Sequence, residues 1–159
     1  MSDQELASCL DALQIRYIRA LDMRQMDAWV ACFDADASYV CIARENDERQ
    51  LPLAVMMDDN RARIQDRANY VTKVWDGTFE DYSTRHFVQR LRHQRKEASL
   101  YEMESNFMVA YTEGTGKSNI LVTGTYQDLV SLHGGEAVLR SRRAVLDTVT
   151  TPRYLVYPV

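Results

Sequence analysis

The sequence predicts an α+β fold in which N-terminal helices pack on a curved, mainly antiparallel sheet. Three observations lead there. Helical periodicity is confined to the N-terminal part, long strand-like runs fill the C-terminal part, and no internal repeat or composition break divides the two. A sheet curved around a long helix buries both apolar faces most simply, and residues 1–159 read as a single domain.

Each element has its own signal. From Asp3 to Asp22, Leu6, Leu10, Leu13, Tyr17 and Leu21 recur at spacings of three or four, one face of an amphipathic helix. Asp22 or Arg24 ends it. A short second helix is expected from Met26 to Phe33, burying Trp29, Val30 and Phe33. Ser38 to Ile42 has strand composition. The polar run AREN–DERQ reads as the solvated tip of a hairpin returning through Leu51 to Met57.

In MMDDN the Asp and Asn side chains can cap a third helix, Arg61 to Trp75, with Ile64, Ala68, Val71 and Trp75 on one face. Beyond Gly77 the character changes. Thr84–Gln94, Ala98–Tyr111, Ser118–Leu132 and Glu136–Val149 read as strands of an antiparallel meander, divided by the turn signals EGTG and HGG. In the second of these runs Tyr101, Met103, Phe107, Val109 and Tyr111 share one parity, so this face should meet the helices.

The composition narrows the function classes. A formal net charge of −4 offers no general field for a polyanion, which argues against nucleic acid. The start, MSDQELASCLDALQ, lacks the basic region of a signal peptide, and no apolar run approaches the length of a membrane span, so a cytoplasmic protein is expected. Cys9, Cys32 and Cys41 are irregularly spaced without CxxC and read as buried, reduced thiols.

Tests for chemistry return little. A mononuclear iron site needs two His and a carboxylate on one side. The three histidines are His86, His93 and His133, and seven residues on a regular strand put His86 and His93 on opposite faces unless a bulge intervenes. No cysteine has a histidine two residues away as a Rieske cluster requires. There is no GxGxxG, GxxxxGK[ST] or GxSxG, and EGTGK reads as a hairpin turn.

The remaining candidates are Tyr17, Asp36, Tyr39, His86 and Asn106, any of which could face an interior cavity and do acid–base work. The plainer reading of His86 is a hydrogen-bonded structural histidine. The basic run Arg85, Arg90, Arg92, Arg95 and Lys96 reads first as a solvated strand, with an acidic partner surface as the sharper option. Arg140, Arg142 and Arg143 could pair across an interface or with nearby carboxylates.

Four strings go beyond pattern: YIRALDMRQMDAWVACFDADASYV, IQDRANYVTKVWDGTFEDYSTRHFVQRL, GTYQDLV and SRRAVLDT. In this order they resemble the small (β) subunits of Rieske-type aromatic-ring-hydroxylating oxygenases, from Tyr17 to about Pro158. The stretch Glu45 to Pro52 departs from the pattern, and the loop around Trp75 to Tyr82 is one in which the family varies.

The resemblance implies a cone-shaped fold like that of nuclear transport factor 2 and the SnoaL-like proteins. It also implies a non-catalytic subunit of a mono- or dioxygenase that supports assembly of a large α subunit, in a hetero-oligomer such as α3β3. The Rieske [2Fe-2S] cluster and mononuclear Fe(II) would lie on that partner, supplied with electrons from NAD(P)H through ferredoxin or reductase. No catalytic, cofactor or metal residue is carried over to this chain. An aromatic carboxylate such as salicylate, anthranilate or benzoate is the favoured substrate class. The rival readings are a free-standing isomerase or dehydratase using a cavity Tyr, Asp or His, and a small-ligand binder of the same fold.

Overall fold

The computed structural model describes residues 1–75 and 81–159. The expected change of character at Gly77 lies outside the described residues. Helix α1 spans Asp3–Asp22, and a reciprocal box closes its start: Glu5 N donates to Ser2 Oγ at 3.2 Å, and Ser2 N donates to the Glu5 carboxylate at 2.6 Å. Its predicted stripe, Leu6 to Leu21, is buried. The helix ends as Arg24 turns into the left-handed region at φ 54, with its guanidinium held by the Asp81 carboxylate and the Tyr82 carbonyl.

Helix α2 is Met26–Ala31, shorter than expected, because Phe33 already opens strand β1, Phe33–Ala43. The register of β1 shifts between Phe33 and Ser38, where the polar run Asp34 to Asp36 interrupts the apolar alternation and hid this part of the strand from pattern reading. The expected hairpin exists, Tyr39 to Ile42 pairing antiparallel with β2, Ala54–Asp58. Its tip is not a plain turn, since Arg44–Glu48 forms a short helix, α3.

Helix α4, Arg61–Tyr70, is capped as expected by Asn60, whose side-chain oxygen accepts from Arg63 N at 3.1 Å. It continues to Trp75 as a wider π-helical turn, Val71–Trp75, with Thr72 bonding back to the Ala68 carbonyl.

The C-terminal meander is β3 (Tyr82–Arg95), β4 (Leu100–Glu113), β5 (Ser118–His133) and β6 (Glu136–Leu146), with antiparallel pairing throughout. The sheet runs β2-β1-β6-β5-β4-β3. One seam, β1 on β6, is parallel. Its inner face and the helices share a core reaching from Leu6 to Val159, with Tyr101, Met103, Phe107, Val109 and Tyr111 pointing into it.

Candidate functional site

The end of α1 and the start of β3 bring together the most chemically suggestive pair. Strand alternation turns Tyr82, Thr84 and His86 inward, and Asp22 closes the helix above them. The Asp22 carboxylate accepts from His86 Nδ1 at 2.6 Å, from the His86 main-chain N–H at 3.1 and 3.2 Å, and from the Thr84 hydroxyl at 3.1 Å. Burial alone would raise the Asp22 carboxyl. The bonds from His86 and Thr84 outweigh it and hold the group below its ordinary value. With Nδ1 donating to the carboxylate, Nε2 is the other polar position of the ring. It is buried against the protein, and the His86 side chain is 1% exposed. The arrangement is that of a base and its orienter, enclosed.

The bulge that would put His86 and His93 on one face is present. Arg90 faces Ser105 and Arg92 faces Glu104, so Leu91 is the extra residue and His93 turns inward. The two rings still do not meet, because the strand between them spans about 20 Å at 3.3 Å per residue. His93 Nε2 instead lies 3.1 Å from Asp3, and His133, at the β5–β6 turn, 3.1 Å from Asp34. Among the described residues, no three His, Cys, Asp or Glu side chains gather as a metal-ligand set.

Deeper inside, Tyr17 and Tyr39 converge on one acceptor. Both hydroxyls donate to the Val159 main-chain oxygen, at 2.8 and 3.2 Å, and Val159 N donates to the Tyr39 hydroxyl at 3.1 Å. Burial pushes the Tyr17 phenol up to about 12 and Tyr39 well above its usual range, so both remain protonated donors at neutral pH. Beside them Arg142 is sandwiched between the Tyr17 and Tyr126 rings, 3.9 Å from each centroid. Its guanidinium donates to both Asp128 oxygens at 2.9 and 2.7 Å and to Gln14 Oε1 at 2.7 Å. Gln14 in turn donates to Ser105 Oγ at 2.9 Å. Burial drives the Asp128 carboxyl up despite its partner. It also opposes the charge on Arg142, but Asp128 prevails and leaves that guanidinium more firmly protonated than usual.

Of the five acid–base candidates, then, Tyr17 and Tyr39 meet and His86 is inward but separately engaged. Asp36 and Asn106 do not face the interior. Asp36 is exposed and pairs with Arg140 at 2.8 Å, because the irregular start of β1 turns it outward, and Asn106 lies on the outer parity of β4. The basic run is largely engaged within the chain: Arg90 with Asp11, Arg92 with Glu104, Lys96 with Glu102, and Arg95 over the Tyr101 ring.

Arg143 pairs with Asp47, whereas Arg142 is core. Cys32 and Cys41 are buried free thiols, and Cys9 is half-buried with Sγ 3.4 Å from the Gly135 carbonyl. Pattern reading missed the Gln14–Asp128–Arg142 network because Arg142 reaches the inner face only through a bulge. Val130 faces Leu139 and Leu129 faces Ser141, leaving Arg140 as the extra residue.

Comparison with known proteins gives a consistent context. The family described as ring hydroxylating beta subunit matches residues 16–153. The anthranilate 1,2-dioxygenase small subunit of Burkholderia cepacia is 27% identical over 147 residues, covering 92% of this chain and 90% of its own. Among solved structures, one from Novosphingobium aromaticivorans, described as the β subunit of an aromatic-ring-hydroxylating dioxygenase, superposes with a TM-score of 0.85. Its identity is 29%, covering 97% of this chain and 96% of its own. A scytalone dehydratase-like protein of the same organism has the same α+β cone, with a TM-score of 0.72 at 18% identity, covering 98% and 93% of the two chains.

Proposed function

The chain belongs to the ring-hydroxylating β-subunit family, and from that premise we propose that it serves its dioxygenase as an assembly subunit for a large catalytic partner. The observation that carries this reading is that its interior charged pairs are bound to one another: Asp22 to His86 and Asp128 to Arg142. Groups used in this way stiffen a scaffold and are not presented to a substrate. On this reading residues 1–159 are one cytoplasmic domain carrying no catalytic, cofactor or metal residue.

The partner would carry the Rieske [2Fe-2S] cluster and mononuclear Fe(II), in an α3β3 hetero-oligomer fed by NAD(P)H through ferredoxin or reductase. An aromatic carboxylate is the favoured substrate class, supported by the likeness to an anthranilate 1,2-dioxygenase small subunit.

The test is co-expression with a large oxygenase subunit from the same organism. A stable complex containing an iron–sulfur protein is the expected result. A chain that stays monomeric and never co-purifies with such a partner would sink the proposal.

A further inference from the structure

The segment following β6 crosses the helix side of the sheet as a strap fastened largely by side chains. The Tyr82 hydroxyl donates to the Tyr154 carbonyl at 2.8 Å, the Tyr157 ring stands edge-on to Tyr82 at 5.9 Å with Arg24 over it, and Arg153 pairs with Glu113 at 2.5 Å. Val159 then enters the core, where it is 1% exposed. Its oxygen receives two hydroxyl donors from two separate elements, α1 and β1.

Two phenols converge on that oxygen. Trp29 and Arg142 both pack on these tyrosines and lend hydrogen-bond support to the Tyr17 phenol. The Trp29 ring lies 6.3 Å from Tyr17 and 5.8 Å from Tyr39, and the Arg142 guanidinium 3.9 Å from the Tyr17 ring. The walls are aromatic: Trp29, Phe33 and Tyr39 lie edge-on to one another at centroid distances of 5.1 to 6.3 Å. Apolar walls with a few convergent donors are the make-up of a small-molecule site.

We propose that the Tyr17–Tyr39 hydroxyl pair and the aromatic walls around it form a binding site for a small apolar carboxylic acid, which Val159 occupies in cis. A carboxylate oxygen would take the place of the Val159 oxygen and the acid's apolar body the place of the valine side chain. The tether gives the strap a high effective concentration, so it competes with any free ligand. This inference does not rest on the subunit reading and can fail independently of it.

Sodium benzoate is the probe and toluene its uncharged counterpart, titrated calorimetrically into the full chain. Val159→Gly should bind benzoate at least tenfold more tightly than the unsubstituted chain. Adding Tyr17→Phe should then cost tenfold or more, as expected for a lost bond to a charged group, and toluene should bind at least tenfold more weakly than benzoate. If a folded Val159→Gly chain binds no benzoate, ignores Tyr17→Phe or takes toluene equally well, the site is no more than an apolar hole and the proposal is overturned. Should Val159→Gly fail to fold, hydrogen exchange of residues 150–159 in the unsubstituted chain decides. Saturating benzoate accelerates it several-fold if the strap is displaced, and unchanged exchange overturns the proposal.

Discussion

Arg142 and Asp128 meet side by side on the inner face of the sheet through bonds of 2.9 and 2.7 Å, and neither side chain reaches solvent. Removing one partner of such a pair strands the other charge, so Asp128→Asn should destabilise the chain by about 3 kcal/mol in urea unfolding. Replacing both, as Asp128→Leu with Arg142→Met, should recover most of that loss. It should remain below the parent because Gln14 Oε1 loses its donor.

Acid should weaken the contact between α1 and β3. Asp22 is held below its ordinary value by His86 and Thr84 against its burial, and Asp11 is lowered by its hydrogen bonds with Arg90. A carboxyl depressed in the folded state contributes stability that is complete above the unfolded value of about 3.9 and disappears as pH falls through the folded value. The urea midpoint should therefore drop between about pH 5 and pH 2. Asp22→Asn should start lower at neutral pH and show a shallower drop. An unchanged slope would show that Asp22 is not a source of the acid sensitivity.

Gly124 lies opposite Phe107, whose ring stacks on Tyr126 at 4.1 Å. A Cβ at position 124 would come within 2.2 Å of the Val145 carbonyl oxygen and 2.9 Å of Phe107 Cε1. Main chain in the middle of a sheet cannot move aside cheaply, so Gly124→Ala should cost about 3 kcal/mol, the upper end of overpacking effects. Thermal unfolding of the isolated chain measures it.

His86→Ala separates scaffold from catalyst. It removes one of Asp22's partners, so the yield of assembled complex should fall while turnover per assembled complex stays at the parent value. Full assembly with lost turnover would assign His86 a chemical role.

Periodicity was a reliable guide where the backbone stays regular. The α1 stripe and the inward parity of β4 needed nothing beyond spacing. It failed at extra residues. Leu91 and Arg140 each shift the alternation by one, turning His93 and Arg142 inward, and the irregular run after Phe33 leaves Asp36 outside. The convergence of Tyr17 and Tyr39 on Val159 joins residues far apart in the chain, which no local pattern encodes. The strings that carry the family resemblance nonetheless contain both internal pairs, Asp22 with His86 and Asp128 with Arg142.

The parallel seam between β1 and β6 also has a temporal side. As the chain leaves the ribosome, β1 and β2 emerge before the meander, and β6, the strand that completes the inner edge of β1, follows only after β3, β4 and β5. Pairing over so long a separation is slow, and until it happens an open strand edge is available to other chains. Production of this protein should therefore depend less on its final stability than on how well that edge is protected until β6 arrives.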